Sequence, residues 1–133
     1  MLYHKDNTIP NSHSIIWVFG SNMKGYHGAG AALIAKQKFG APDGLFMGQC
    51  SRSYAIATED SNLKPLQMKA IVPQIEKFVE HTINNPGFNF FVTRVGCGYA
   101  GYTDDQIGPL FAKCGGNCSL AEQWRQYRKP NGS

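Results

Sequence analysis

Glycines cluster at two places in the chain where the backbone could bind an anion. Residues 25–30 read Gly-Tyr-His-Gly-Ala-Gly, and residues 96–101 read Gly-Cys-Gly-Tyr-Ala-Gly. A loop without side chains lets backbone N–H groups approach a phosphate, and a helix that begins there adds partial positive charge. The first cluster has the order G-x-x-G-x-G, which is neither the dinucleotide fingerprint nor a phosphate loop. On its own, this cluster is equally consistent with an ordinary tight turn and with a nucleotide-binding loop.

Segments typical of strands and helices surround both clusters. Residues 15–19 form a β-branched and aromatic run, which predicts a buried strand before the first cluster. Residues 31–39 predict a helix that ends at Gly40. The apolar run 88–95 predicts a central strand directly before the second cluster. Each cluster is therefore expected at the carboxyl end of a strand.

The remaining segments predict further alternation of strands and helices. We expect a strand over 53–58, a helix over 65–83 that Pro73 kinks or splits, a helix from the capping box at 103–106 to about residue 111, and a last helix over 120–128 after a second capping box at 119–122. This alternation predicts an α/β fold of three layers, α/β/α, around a central, mostly parallel or mixed sheet. In such folds ligands bind beyond the carboxyl ends of the strands, where both clusters are expected.

Length and composition favour a single domain over residues 1–133. The chain has 42% hydrophobic and 17% charged residues, which is ordinary for a globular protein. Its net charge of +4 is mild, and the basic residues Arg125, Arg128 and Lys129 gather near the carboxyl end without interleaved aromatics, which disfavours a nucleic-acid surface. No run approaches the length of a membrane span, and residues 1–7 are polar, so a cytoplasmic location without a membrane partner is expected.

Cysteine and histidine spacing does not favour a metal site. None of the four cysteines forms a C-x-x-C pair, and the four histidines are scattered singly. We therefore expect reduced, mostly buried thiols, no bound metal and no cofactor.

Three stretches of the chain resemble the macro domain, the ADP-ribose-binding module. The likeness is to the branch that includes the terminal ADP-ribose protein glycohydrolases and the antitoxins that reverse DNA ADP-ribosylation. Residues 27–40 are similar to its "M-G-A-G-x-A … F-K-x-x-F" loop and helix, residues 94–98 to its "R-I-G-C-G-L" loop, and residues 54–58 to its middle strand. The order and intervals agree over residues 15–111. The strings "Y-A-I-x-T-x-D" and "G-C-G-x-A-G-Y" are also similar to those of short bacterial and phage proteins.

The resemblance implies a set of ligand-binding residues on the two loops. The first loop would place Gly28, Ala29 and Gly30 along the ligand, with Asn22 on its approach. The second would wrap the diphosphate and the distal ribose with backbone amides. Its residues are Gly96, Cys97, Gly98, Tyr99, Ala100 and Gly101, and Tyr102 would stack on the ligand or wall it off.

The catalytic pair of that branch is not carried over. The branch has a lysine that forms a covalent adduct with the opened ribose, and an aspartate after the second loop motif that acts as acid and base. Glu59 stands at the position of the lysine and Ala100 at that of the aspartate. A carboxylate cannot form a Schiff base and alanine cannot transfer a proton, so this mechanism is not expected here.

Two functions from different classes follow from these residues. The first is the binding of ADP-ribose, or of a related NAD-derived or signalling nucleotide. The second is an ADP-ribosyl or nucleotide hydrolase in which Glu59, Asp60 or His27 does the chemistry. Each of these three has an ordinary alternative as a turn acid or a loop residue. Nucleic acid is expected only as an ADP-ribosylated substrate, and the oligomeric state stays open.

Overall fold

The protein, described over residues 2–129 by a computed structural model, has an α/β fold around one six-stranded sheet. The strands are β1 (Tyr3–His4), β2 (Ile15–Asn22), β3 (Gly48–Cys50), β4 (Ser53–Glu59), β5 (Asn89–Val92) and β6 (Cys118–Ala121). The helices are α1 (Gly30–Lys38), α2 (Met68–Asn84) and α3 (Asp104–Ile107), with 3-10 helices at Gly108–Phe111 and Glu122–Tyr127. No helix within residues 2–129 has the length and apolar character that a membrane span requires.

The sheet has the order β1-β6-β5-β2-β4-β3, and only β3 runs antiparallel to its neighbour. β2 lies between β4 and β5, with Val18 opposite Tyr54 on one side and Val92 on the other. The chain leaves β2 towards β4 but leaves β5 towards β6, in the opposite direction. Connections that diverge in this way open a crevice at the carboxyl ends of the two strands.

Side chains that alternate along the strands form two cores, one on each face of the sheet. On one face Val18, Ile56 and Phe90 pack with Ile75 and Phe78 of α2. On the other face the core is smaller and joins α1 to β2, β4 and β5; its members are Trp17, Phe19, Ala35, Phe39, Ala41, Ala55 and Phe91. Helices therefore cover both faces of the sheet, as the alternating pattern predicts.

The predicted strands and the first helix are confirmed with shifted ends. β2 extends three residues beyond the expected run 15–19, and α1 begins one residue early, at Gly30. β5 covers only half of the run 88–95, because the chain turns towards the second glycine loop where the N–H of Val95 bonds back to the carbonyl of Thr93 (2.7 Å).

Pro73 does not divide α2, so of the two expected effects, a kink or a split, the split is wrong. One helix runs from Met68 to Asn84 although the proline removes a backbone hydrogen bond. Ile71, Ile75 and Phe78 are fully buried on both sides of it, and this packing holds the helix together across the gap. The residues before Met68 are extended, because the N–H of Leu66 bonds to the carbonyl of Thr58 (2.8 Å).

The carboxyl-terminal part is predicted correctly at its first capping box and wrongly at the second. Thr103 caps α3 by accepting from the N–H of Gln106 (3.3 Å), and the side chain of Gln106 returns the bond (2.9 Å). After four residues α3 gives way to the 3-10 helix that contains Pro109.

Residues 118–121 form a strand and not the start of a helix. β6 pairs with both β5 and β1, and Leu120 is buried in the core. The expected last helix is a six-residue 3-10 helix, Glu122–Tyr127. Strand pairing on both sides of β6 outweighs the local capping signal. This pairing is visible only in the folded sheet.

Candidate functional site

A cavity of about 710 Å³ lies at the carboxyl ends of β2, β4 and β5. Both glycine loops line it, the first through residues 28–30 and the second through residues 96–100. The fold therefore brings together two segments that are almost 70 residues apart in sequence. The cavity also extends along the sheet to the segment after β1.

Asn22, at the end of β2, shapes the first loop. Its side-chain amide donates to the carbonyl of Tyr26 (2.8 Å) and accepts from the N–H of Tyr26 (3.1 Å). Gly25 has a φ of +71°, and a Cβ there would come within 2.4 Å of the backbone of Gly44, so only glycine fits. Asn22 lines the cavity, and its hydrogen bonds serve the loop.

His27 anchors the first loop to the protein core. Its ring is buried against the edge of Phe19, and Nε2 donates to the carbonyl of Pro42 (3.0 Å). Nδ1 is buried and has no hydrogen-bond partner within residues 2–129. The side chain is not among those that line the cavity. The structure thus places His27 in the core as an anchor of the first loop.

The amino end of α1 presents free backbone donors to the cavity. Ala29, the N-cap residue, has no capping side chain, and the first turn holds no acidic residue. The first backbone bond of the helix comes from Leu33, which leaves the N–H groups of Gly30, Ala31 and Ala32 without a partner in the described chain. These three residues line the cavity. Unpaired donors at a helix N-terminus are suited to an anion.

The second loop presents a similar set of donors. Its own bonds run from Cys97 to Arg94, from Gly101 to Gly98 and from Tyr102 to Gly96. The N–H groups of residues 96, 98, 99 and 100 have no partner in the part of the chain that the structure describes. A Cβ on Gly98 would meet nothing within 4 Å, so the space beside this glycine is open.

Arg94 ties the second loop to α3 and to the segment after β1. Its guanidinium contacts Asp104 through two nitrogens (2.9 and 2.6 Å) and Asp6 through the third (2.9 Å). The hydrogen bonds from Arg94, supported by one from Trp124, lower the pKa of Asp104. Because two carboxylates already neutralise Arg94, it adds little net positive charge to the cavity. From the sequence, Arg94 is recognised only as part of the second loop motif, and its contacts with Asp6 and Asp104 are not predicted.

Cys97 lines the cavity as a protonated thiol. Burial, followed by repulsion from Asp104, raises its pKa to about 11. A thiol with such a pKa is a poor nucleophile at neutral pH. All four cysteines are free; Cys114 and Cys118 are buried, and Cys50 and Cys97 are partly exposed. Within residues 2–129 no three side chains of the metal-ligating types are grouped to hold an ion.

The two acidic residues after β4 differ in their surroundings. Glu59 lines the cavity, and its carboxylate has no hydrogen-bond partner within residues 2–129. Burial, with a smaller contribution from Asp60, raises its pKa. Asp60 closes a turn instead, because its Oδ1 accepts from the N–H groups of Asn62 (2.8 Å) and Lys64 (3.0 Å). Asp60 is not part of the cavity lining.

Gly101 and Tyr102 also lie outside the cavity lining. The hydroxyl of Tyr102 donates to the carbonyl of Leu66, and the ring packs against the α2-side core. Tyr102 therefore joins the second loop to the segment before α2.

An apolar floor extends the cavity along the face that α1 covers. We define it by Ile9, Trp17, Ile34 and Phe91, all of which line the cavity. The rings of Trp17 and Phe91 are nearly parallel, with centroids 5.4 Å apart, and His4 stacks on Phe91 at 3.7 Å. The sequence assigns Trp17 and Phe91 to strands but does not indicate the floor, because strand periodicity does not show which buried strand residues lie beside a cavity.

Comparisons with known proteins bear on the fold alone. No protein-family model matches the chain, and no curated protein matches it. Among solved structures it is similar to a crystal structure of a protein from Bacteroides thetaiotaomicron, with a TM-score of 0.61 and 18% identity. The match covers 91% of this chain and 98% of that one.

Proposed function

We propose that this protein is a macro-like domain that binds ADP-ribose, or a related NAD-derived or signalling nucleotide, between its two glycine loops. One observation carries the proposal: residues of both loops whose backbone N–H groups are unpaired in the described chain line the same cavity. Backbone donors grouped in this way form concave sites for phosphate groups. The diphosphate would lie between the loops and accept from both.

The charge of the cavity favours a ligand held by backbone dipoles over one held by side-chain cations. Of the ionisable groups that line it, Asp6 and Glu59 are acidic, and Arg94 is already paired. The amino end of α1 adds partial positive charge, which stabilises an anion by up to about 2 kcal/mol in a partly buried geometry. A single diphosphate suits this arrangement better than a polyanionic chain does.

The apolar floor offers a place for the base of the nucleotide. Its aromatic members, Trp17 and Phe91, are buried and fixed by stacking, and Ile9, which is 41% exposed, supplies its open apolar surface. A planar base would cover apolar surface there while the phosphates face the loops. The resemblance of both loops to those of macro domains makes ADP-ribose the first ligand to test.

Calorimetry with ADP-ribose tests the proposal, and Gly98→Val is the informative variant. Gly98 does not have a positive φ, and its Cβ position is open, so valine is tolerated by the fold but fills the space beside the second loop. We expect wild type to bind and the variant to lose at least about tenfold in affinity, since a filled site loses contacts of well over 1.4 kcal/mol.

Gly87→Val is the matched control, because Gly87 is equally open and lies away from the cavity. It should bind as wild type does. The absence of both heat and thermal stabilisation at millimolar ADP-ribose would contradict the proposal.

Hydrolysis of an ADP-ribosyl or nucleotide bond is a second candidate function, which the position of Glu59 favours. Glu59 is a cavity-lining carboxylate with a raised pKa, as a proton-transferring group requires. Asp60 and His27 are engaged elsewhere and do not carry this candidate. Release of ADP-ribose from modified protein or DNA should then fall at least about a hundredfold in Glu59→Gln. Equal rates in both proteins would rule Glu59 out.

A further inference from the structure

A second, smaller cavity of about 300 Å³ adjoins the main one. We call it the outer cavity; Lys24, Tyr26, Ser61, Asn62 and Leu63 line it. Tyr26 and Leu63 line both cavities, so these two side chains stand where one space passes into the other.

Tyr26 is fixed in place although its side chain is largely in solvent. Asn22 holds both its N–H and its carbonyl. The ring lies against the backbone of Gly28, because a Cβ on Gly28 would come within 2.3 Å of the ring. The residue is nevertheless 58% exposed. A rigid exposed aromatic ring can stack on a planar group with little loss of conformational entropy.

Leu63 is an exposed apolar residue in an unfavourable backbone conformation. Its φ is +62°, in the left-handed region that leucine rarely adopts, and it is 51% exposed. The turn around it is rigid, since its N–H bonds to the carbonyl of Asp60 (3.1 Å) and the N–H of Asp60 bonds to the carbonyl of Lys64 (2.8 Å). Backbone strain of this kind persists where the surroundings enforce it, often at ligand clamps.

Trp17 and Phe91 of the apolar floor are in the central strands β2 and β5, and the outer cavity and Ile9 lie to either side of them along the sheet edge. Tyr26 follows β2 and Leu63 follows β4, whereas Ile9 follows β1 and Phe91 is in β5. In the sheet order β1 and β4 are four strand spacings apart, or roughly 19 Å. The strands that lead into the two glycine loops, β2 and β5, lie between β1 and β4, and Tyr26 is itself a residue of the first loop. Ile9 and Leu63 thus place an exposed apolar side chain towards each side of the proposed phosphate site.

We propose that Tyr26 and Leu63 clamp a second planar ring, so that the preferred ligand is a dinucleotide with a ring at each end. This inference rests on the proposed function. One ring would lie on the apolar floor, the diphosphate between the loops, and the other ring against Tyr26 and Leu63. ADP-ribose has only the first ring and leaves the clamp empty.

Three probes separate the contribution of the second ring from that of the phosphates. NAD+ and NADH both carry a second ring, which is cationic in one and neutral in the other, and ADP-ribose carries none. We expect both dinucleotides to bind about tenfold more tightly than ADP-ribose, as stacking of one ring supplies. If only one of the two dinucleotides bound more tightly than ADP-ribose, stacking of the second ring would not be the source of the added affinity.

Variants of the clamp test the assignment to these residues. Tyr26→Ala and Leu63→Ala should each reduce the preference for the dinucleotides over ADP-ribose by at least about threefold. Tyr26→Phe keeps the aromatic ring and should therefore retain this preference. Met23→Ala is the control, because Met23 is an exposed apolar residue of the same loop that lines neither cavity. It should retain the preference as well.

The outcomes distinguish this inference from the function on which it rests. If ADP-ribose binds and the dinucleotides bind no more tightly, the clamp is overturned and the proposed function stands. If the alanine variants keep the full preference, the second ring lies elsewhere and the clamp is again overturned. If none of the three probes binds, both proposals fail.

Discussion

At the scale of single residues, Arg94 is a side chain that joins several of the segments that line the cavity. It joins the second loop to Asp104 and Asp6, which belong to different parts of the fold. Only about a quarter of each side chain in these pairs is exposed, so solvent screens them weakly. Its role is therefore structural, although it lines a site proposed to bind an anion.

We predict that Arg94→Leu lowers the free energy of unfolding by about 2 kcal/mol or more, because it leaves two carboxylates without their partner. Urea denaturation measures this change. Asp43→Ala is the control, since the Lys36–Asp43 pair is largely exposed and its loss should cost under about 0.5 kcal/mol. Similar losses in the two variants would show that the Arg94 network does not stabilise the fold.

His4 should make stability depend on pH in mildly acidic solution. Burial lowers its pKa to about 4, which is below the unfolded value of 6.5. The folded state thus binds fewer protons between these values, so stability is complete above pH 6.5 and declines as the pH falls towards 4. From pH 7 to pH 5 this residue should account for a loss of about 2 kcal/mol.

Urea titrations of wild type and His4→Gln at pH 7 and pH 5 measure the contribution of His4. The variant should lose less stability than wild type over this interval, because glutamine does not titrate. His81, whose pKa is also lowered by burial, remains in both proteins and cancels in the comparison. Equal losses would show that His4 is not buried in its neutral form.

At the scale of elements, α2 shows packing prevailing over a local break. Pro73 is exposed on the helix, while residues on either side of it are buried against the sheet. The next residue, Gln74, bonds to both the N–H and the carbonyl of Ala57 in β4 (2.8 Å each). These contacts hold the helix to the strand where the proline weakens it.

We predict that Pro73→Ala raises the free energy of unfolding by about 1 kcal/mol, because alanine restores the missing backbone donor and suits a helix. Urea denaturation measures the gain. Pro86→Ala, in the turn after α2, should give no such gain. A destabilised Pro73→Ala protein would mean that the helix is shaped around the proline.

The sequence is sufficient for the elements that carry strong local patterns and not for those set by pairing. β2, β4, α1 and the capping box of Thr103 follow from periodicity and cap chemistry. β1 and β3 are two and three residues long, too short to show a pattern. β6 carries a capping signal but pairs on both sides, so only the tertiary structure determines its type.

The site is predictable to the same degree. Two glycine clusters after two strands predict that both loops meet, and they do line one cavity. The positions of His27, Asp60 and Tyr102 depend on contacts with Pro42, Lys64 and Leu66, which no local pattern reveals. The apolar floor and the outer cavity depend likewise on how helices and turns cover the sheet.

At the scale of the whole molecule, the expected α/β class is confirmed, with a mixed, mostly parallel sheet between two helical layers. The change of direction between β2 and β5 opens the crevice, and the two glycine loops supply its backbone donors. The proposed binding is therefore a property of the topology as much as of any side chain. Such binding requires that both loops donate to one ligand.

Backbone amide NMR during titration with ADP-ribose measures whether both loops donate to the same ligand. We expect the largest shifts to occur together, and to saturate at the same concentration, in the amides of residues 28–32 and 96–100. The amides of Gly87 and Gly116, which lie away from the cavity, should not move. Shifts confined to one loop, or centred outside both, would contradict a shared diphosphate site.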